Sequence, residues 1–160
     1  VRKRVICVRT CLVREASVLY ESENGKRSIT SPEEAAKFAA SFFEGSDKEM
    51  IYVCTLNGNN EPVTMEMVAK GSVNWCKADI SQIYKTAIIS NAASIICFHN
   101  HPSGCIEPSG VDKLITEKME TAGRYLDIPL RDHIIIGENG NFYSFRRDGT
   151  ELETETEWFE

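Results

Sequence analysis

The chain has 160 residues, 42% of them hydrophobic and 26% charged, which suits one globular domain with a proper core. No apolar run approaches the ~20 residues of a membrane span and no signal peptide is recognisable, so a cytoplasmic protein without a membrane anchor is expected. A net charge of −6 argues against general duplex binding, which relies on neutralising phosphates. The charge is uneven. Arg2, Lys3, Arg4, Arg9 and Arg14 make one end basic, while Glu151, Glu153, Glu155, Glu157 and Glu160 make the other acidic. Two solvated ends that pair with each other explain this better than a nucleic-acid arm. The six cysteines include no Cys-x-x-Cys pair, and Cys54 and Cys97 sit in apolar runs, so free thiols in a reducing compartment are expected.

In chain order, alternating apolar and polar residues over 5–20 suggest a strand or hairpin, closed by a turn at Glu23-Asn24-Gly25-Lys26. Ser31-Pro32-Glu33-Glu34 opens a helix. Ser31 is its N-cap, Pro32 takes the first helical position and Glu34 completes a capping box. Ala35, Phe38, Ala39 and Phe42 follow at helical spacing, and Gly45 is expected to end the element. Residues 49–56 read as a strand, Asn57-Gly58-Asn59-Asn60 as a hairpin turn, and 63–68 as the return strand. Glu66 is an acid in that largely apolar return strand, and by itself it reads as an outward-facing surface carboxylate. Ile80, Ile83, Tyr84, Ala87 and Ile88 place an amphipathic helix over 79–92.

Ser94-Ile95-Ile96-Cys97-Phe98 then reads as a buried strand leading into His99-Asn100-His101-Pro102-Ser103-Gly104. Residues i and i+2 of a strand share a face, so His99 and His101 point the same way. Ser109-Gly110-Val111-Asp112 is a helix start with Ser109 as N-cap and Asp112 in the first turn. The short loop between the prolines 102 and 108 brings Asp112 back beside the histidines. Two imidazoles and a carboxylate, with a fourth position for water, form the ligand set of a catalytic zinc site. A His-x-His or a Ser-x-x-Asp alone would mean little; it is their combination that points to a metal. Beyond it, Val111, Leu114, Ile115, Met119 and Ala122 should face inward from a helix stopped by Gly123 or by Asp127-Ile128-Pro129. Ile134-Ile135-Ile136 and residues 142–145 read as strands joined at Glu138-Asn139-Gly140-Asn141. Helices alternating with strands imply an α/β class with a mixed sheet.

These residues resemble the RadC-like branch of the JAB/MPN (JAMM) metalloproteases. The shared signature is His99-x-His101, seven residues, then Ser109-x-x-Asp112, with the branch pattern His-Asn-His-Pro-Ser-Gly at 99–104. Ser31-Pro32-Glu33, Gly71-Ser72, Asp132-His133-Ile134-Ile135-Ile136-Gly137 and Phe142-Tyr143-Ser144-Phe145 also match, so the likeness covers about 30–149. It departs at Cys105, where the branch usually has an acid, and at Lys77-Ala78-Asp79, where it usually reads Pro-Arg-Glu. The helix-hairpin-helix of longer RadC chains has no counterpart here.

The resemblance implies a three-layer, cytidine-deaminase-like fold over 30–149, preceded by a strand or hairpin extension over 1–29 and followed by an acidic tail over 150–160. It implies zinc held by His99, His101 and Asp112, with Glu66 as the base that takes a proton from water and passes it to the leaving amine. Ser109, close to the metal, would be the oxyanion donor. The expected activity is zinc-assisted hydrolysis of a peptide or isopeptide bond in a protein substrate. A metal-stabilised, non-enzymatic module in DNA repair or recombination is the competing reading, and a nuclease carries little weight. His133 reads as a structural histidine, and Cys105 as a loop residue rather than a fourth ligand. Substrate identity and oligomeric state are not readable.

Overall fold

The structure, a computed structural model, describes residues 9–17, 27–71 and 79–149. The turn at 23–26, the basic residues 2–4, Cys7, Cys76, Ser72 and the acidic tail with Trp158 and Phe159 lie outside them. Residues 9–17 carry neither helix nor strand, with Val13 80% exposed. The strand expected over 5–20 is therefore not formed in this part of it.

Helix α1 (Pro32–Ala40) starts as its sequence dictates, with Ser31 accepting the Glu34 amide. Glu34 itself reaches one residue further back than a capping box requires and accepts from the Thr30 amide and hydroxyl, each at 2.8 Å. The helix ends at Ala40, and the chain turns until Gly45, whose φ of +67° is the left-handed conformation glycine tolerates. Strands β1 (Met50–Leu56) and β2 (Pro62–Lys70) form the expected antiparallel hairpin. Helix α2 (Ile80–Ile89) leads to β3 (Ser94–Asn100). Helix α3 (Gly110–Leu126) follows and stops at Asp127, which adopts φ +55°. Gly123 lies inside α3, where a Cβ would stand 2.7 Å from the Tyr84 hydroxyl and 2.8 Å from the Ile128 carbonyl. Strand β4 (Leu130–Ile136), β5 (Phe142–Ser144) and the short α4 (Phe145–Asp148) complete the fold.

Among the described residues the sheet order is β2-β1-β3-β4-β5, with only β3 and β4 parallel. This is the mixed α/β sheet expected from the sequence. Burial explains the order. Six of the seven residues of β1 and all seven of β3 are buried, as strands covered on both faces must be, whereas β2 has every side chain partly or fully exposed and lies at an edge. Alternate side chains divide between two cores. Met50, Cys54, Leu56, Ile96, Phe98, Ile134 and Ile136 meet Ala35, Ala36 and Ala39 of α1. On the other face Ile51, Val53, Ile95 and Cys97 meet Ile83, Tyr84 and Ala87 of α2 and Met119 of α3. The helices thus sandwich the sheet in the three layers implied by the resemblance. At the β4–β5 corner, buried Asp132 accepts from the Ser144 hydroxyl at 2.6 Å and from the His133 and Arg146 amides. Burial pushes its pKa up to about 7 against the pull of those donors.

Candidate metal centre

The site forms where β3 ends, on the face covered by α2 and α3. His99 is the last inward-facing residue of that strand, and His101 continues its face into the loop. Ser109 caps α3 by accepting the Asp112 amide, and Asp112 returns the contact by accepting from the Ser109 amide at 2.7 Å. This reciprocal cap fixes the Asp112 carboxylate at the start of the helix. The loop between ligands is held by close packing, because a Cβ on Gly137 would come within 2.4 Å of Ile106.

The structure brings the three predicted ligands together. His99 Nε2 and His101 Nε2 are 3.0 Å apart. Asp112 Oδ1 is 3.2 Å from His99 Nε2, and Oδ2 is 3.3 Å from His101 Nε2. Among the described residues this is the one group of histidine, cysteine and carboxylate atoms close enough to hold a metal ion. His101 Nδ1 lies 2.7 Å from the Cys105 carbonyl, which only accepts. Nδ1 is therefore the donor, and in the neutral ring Nε2 is left with a lone pair aimed into the cluster. A lone pair facing a second ring nitrogen and a carboxylate at hydrogen-bonding distance requires a cation or a proton between them, so the donor set fits a metal. Cys105 serves through its carbonyl, and its thiol is not part of the cluster.

Electrostatics agree with that demand. Burial would raise the Asp112 pKa, but the facing His101 and His99 rings, when protonated, outweigh it and hold the carboxyl well below the usual range. The Asp112 hydrogen bond in turn raises the His101 pKa against its burial. Without metal the cluster therefore holds a proton readily, and metal and proton compete for it. Cys97 is buried two residues before His99, burial pushes its thiol pKa up, and its sulfur is not among the grouped ligand atoms.

The two candidate catalytic residues fare differently. Ser109 gives its hydroxyl proton to Asp112 Oδ2 at 2.6 Å, so the cap is its visible work. Glu66 is half-buried rather than outward-facing, and its carboxylate accepts from the Thr86 hydroxyl of α2. It pairs with Val53, which pairs with Cys97. Two strand spacings and two residues separate Glu66 from His99, which places their backbones about 12 Å apart.

Glu49, which lies outside the sequence signature, is better placed. Ile51 pairs with His99 at the end of the ladder, and continuing that register two residues further places Glu49 opposite His101. Asn100 keeps the strands together here, accepting from the Met50 amide at 2.9 Å and donating to the Lys48 carbonyl at 3.2 Å. Burial raises the Glu49 pKa, opposed by the charges of His99 and His101 and reinforced by Asp112. Glu49 is therefore within electrostatic reach of all three ligands. The sequence held one clue. Of the hairpin's two strands the first, Met50–Leu56, carries no charged residue, which marks it as the inner one, and Glu49 stands at its start.

Comparisons with known proteins show the family. A family model described as the RadC-like JAB domain matches residues 29–150. A UPF0758 protein of Pelodictyon phaeoclathratiforme is 36% identical over 131 residues, covering 82% of this chain and 59% of the relative. A UPF0758 protein of Chlorobium chlorochromatii is 34% identical over the same shares. The chain thus spans about three fifths of the length of these curated relatives.

Proposed function

Because the chain belongs to the RadC-like JAB domain family, we propose that it is a zinc-dependent hydrolase of the JAMM type, cleaving a peptide or isopeptide bond in a protein substrate. The observation that carries this reading is the convergence of His99 Nε2, His101 Nε2 and the Asp112 carboxylate within 3.0–3.3 Å, with a further half-buried carboxylate beside them. His99, His101 and Asp112 would hold the ion. Zinc so bound would lower the pKa of water from about 16 to about 7, making a nucleophile available at neutral pH.

The chain's own groups supply the proton transfers. Glu49 takes the proton of the attacking water and returns it to the leaving nitrogen, the role the resemblance had given to Glu66. Its half-buried place beside the ligands suits that task, since a base must stand within reach of the proton it takes. Ser109 turns its hydroxyl from Asp112 to the developing oxyanion when substrate arrives. Asp112 keeps the Ser109 amide as a donor while that hydroxyl is elsewhere.

Elemental analysis of the purified protein, with a peptide and isopeptide substrate screen, tests this. About one zinc per chain is expected, lost in His101→Ala, with hydrolysis abolished by a chelator and restored by zinc. No bound zinc after reconstitution, or hydrolysis indifferent to the chelator, would overturn the reading.

A further inference from the structure

A buried chain of hydrogen bonds runs behind His99. The Thr116 hydroxyl is 2.7 Å from the Asp112 carbonyl oxygen and 2.7 Å from His133 Nδ1. His133 Nε2 is 2.9 Å from His99 Nδ1. Both Thr116 and His133 are fully buried, at 2% exposure each. The His133 ring is also clamped face to face on Phe145, with centroids 4.9 Å apart and planes within 7°.

Counting protons along this chain gives one wiring. A hydroxyl has one proton, and a carbonyl can only accept. The Thr116 proton therefore goes to the Asp112 carbonyl. Given to His133 instead, it would leave two oxygen acceptors face to face at 2.7 Å in a buried place. The Thr116 oxygen then accepts from His133 Nδ1–H. A neutral imidazole has a single N–H, so His133 Nε2 is an acceptor, and the donor facing it is His99 Nδ1–H. That leaves His99 Nε2 with its lone pair aimed at His101 and Asp112. His101 is set in the same tautomer by a backbone carbonyl, but His99 faces another imidazole, whose own tautomer must be fixed first.

We infer that Thr116 and His133 are positioning residues that hold His99 in its Nδ1–H tautomer, with Nε2 presented to the metal. This rests on the proposed metal site for its purpose but not for its geometry. A ligating histidine ordinarily gives its other N–H to a carboxylate, a backbone carbonyl or water. Here a second histidine takes that place, and a threonine on the ligand-bearing helix α3 orients it. The same threonine bonds to the backbone carbonyl of Asp112, so the two halves of the site share one anchor.

The test begins on the metal-free full chain, with two-bond proton–nitrogen NMR correlations of its three histidines at a pH high enough that all three rings are neutral. Nδ1–H tautomers are expected at His99 and His133. An Nε2–H tautomer at His99 would overturn the inference. In Thr116→Val the His133 tautomer should become mixed, and zinc affinity, read by chelator competition, should fall about 10- to 100-fold. Thr116→Ser should restore both. Folded Thr116→Val with unchanged tautomers and zinc affinity would mean that Thr116 only packs, and would also overturn the inference. Nδ1–H at His99 in a wild-type protein that takes up no zinc would instead sink the metal site and leave the wiring standing.

Discussion

Glu49, the residue before β1, and Glu66, on the neighbouring β2, lie on the same side of the sheet in opposite surroundings. Glu66 sits on the edge strand under α2, where the Thr86 hydroxyl occupies its carboxylate. Glu49 sits where the central strand β1 begins, beside the end of β3, with burial and the Asp112 charge both disfavouring its ionised form. One carboxylate is spent on holding a helix to a sheet. The other is kept at some loss of stability in a place where a proton acceptor is useful. Residue type, burial and face are shared, so what separates the two regions is the position along the strand and the strand's place in the sheet.

The sharpest way to break this comparison is to remove each charge in turn. Glu49→Gln should keep its zinc and lose about 10²- to 10⁴-fold in turnover, the span of a general base. Glu66→Gln should turn over close to wild type. Steady-state kinetics on the substrate found by the screen decides, and the reverse pattern would return the base to Glu66.

A second pair of variants separates site from support. Gly137→Ala forces a methyl group against Ile106 and to 3.1 Å from the Asn141 carbonyl. Overpacking of this kind costs about 1–3 kcal/mol. It should also weaken zinc binding, because the displaced loop carries the Cys105 carbonyl that fixes His101. Glu66→Gln should cost about 1 kcal/mol in urea denaturation through its weakened Thr86 contact, with zinc affinity unchanged. Equal loss of zinc affinity in both would show that the two regions are not independent.

The smallest expected effect is a pH dependence. The folded pKa of Glu49 lies above the ordinary glutamate value of about 4.3. The folded state therefore binds that proton more tightly than the unfolded chain does. This contribution to stability is complete below the ordinary value and is lost as pH rises through the raised one. Metal-free wild type should thus gain stability relative to Glu49→Gln as the pH is lowered through that window. A difference independent of pH would remove the burial argument for Glu49.

Much of this molecule was legible in its sequence because the signals were local. Ser31-Pro32 and Ser109-x-x-Asp112 mark helix starts through contacts spanning three residues, and both caps form. His99-x-His101 shares a face because a strand has a period of two. Asp112 returns to those histidines because the loop is short and the cap fixes the carboxylate. Gly123 misled for the same reason. It looks like a stop signal, but its missing Cβ serves the approach of Tyr84 and Ile128, far apart in sequence.

Only the tertiary structure decided which acid stands beside the ligands and what stands behind them. Choosing between Glu49 and Glu66 needs the strand order, and pairing is a long-range contact that a local pattern signals only weakly. The chain through His133 joins α3, β4 and β3, and no spacing along the sequence encodes the direction of its protons. That direction follows from a single hydroxyl shared between a carbonyl and a ring nitrogen, which exists only once three elements are packed together.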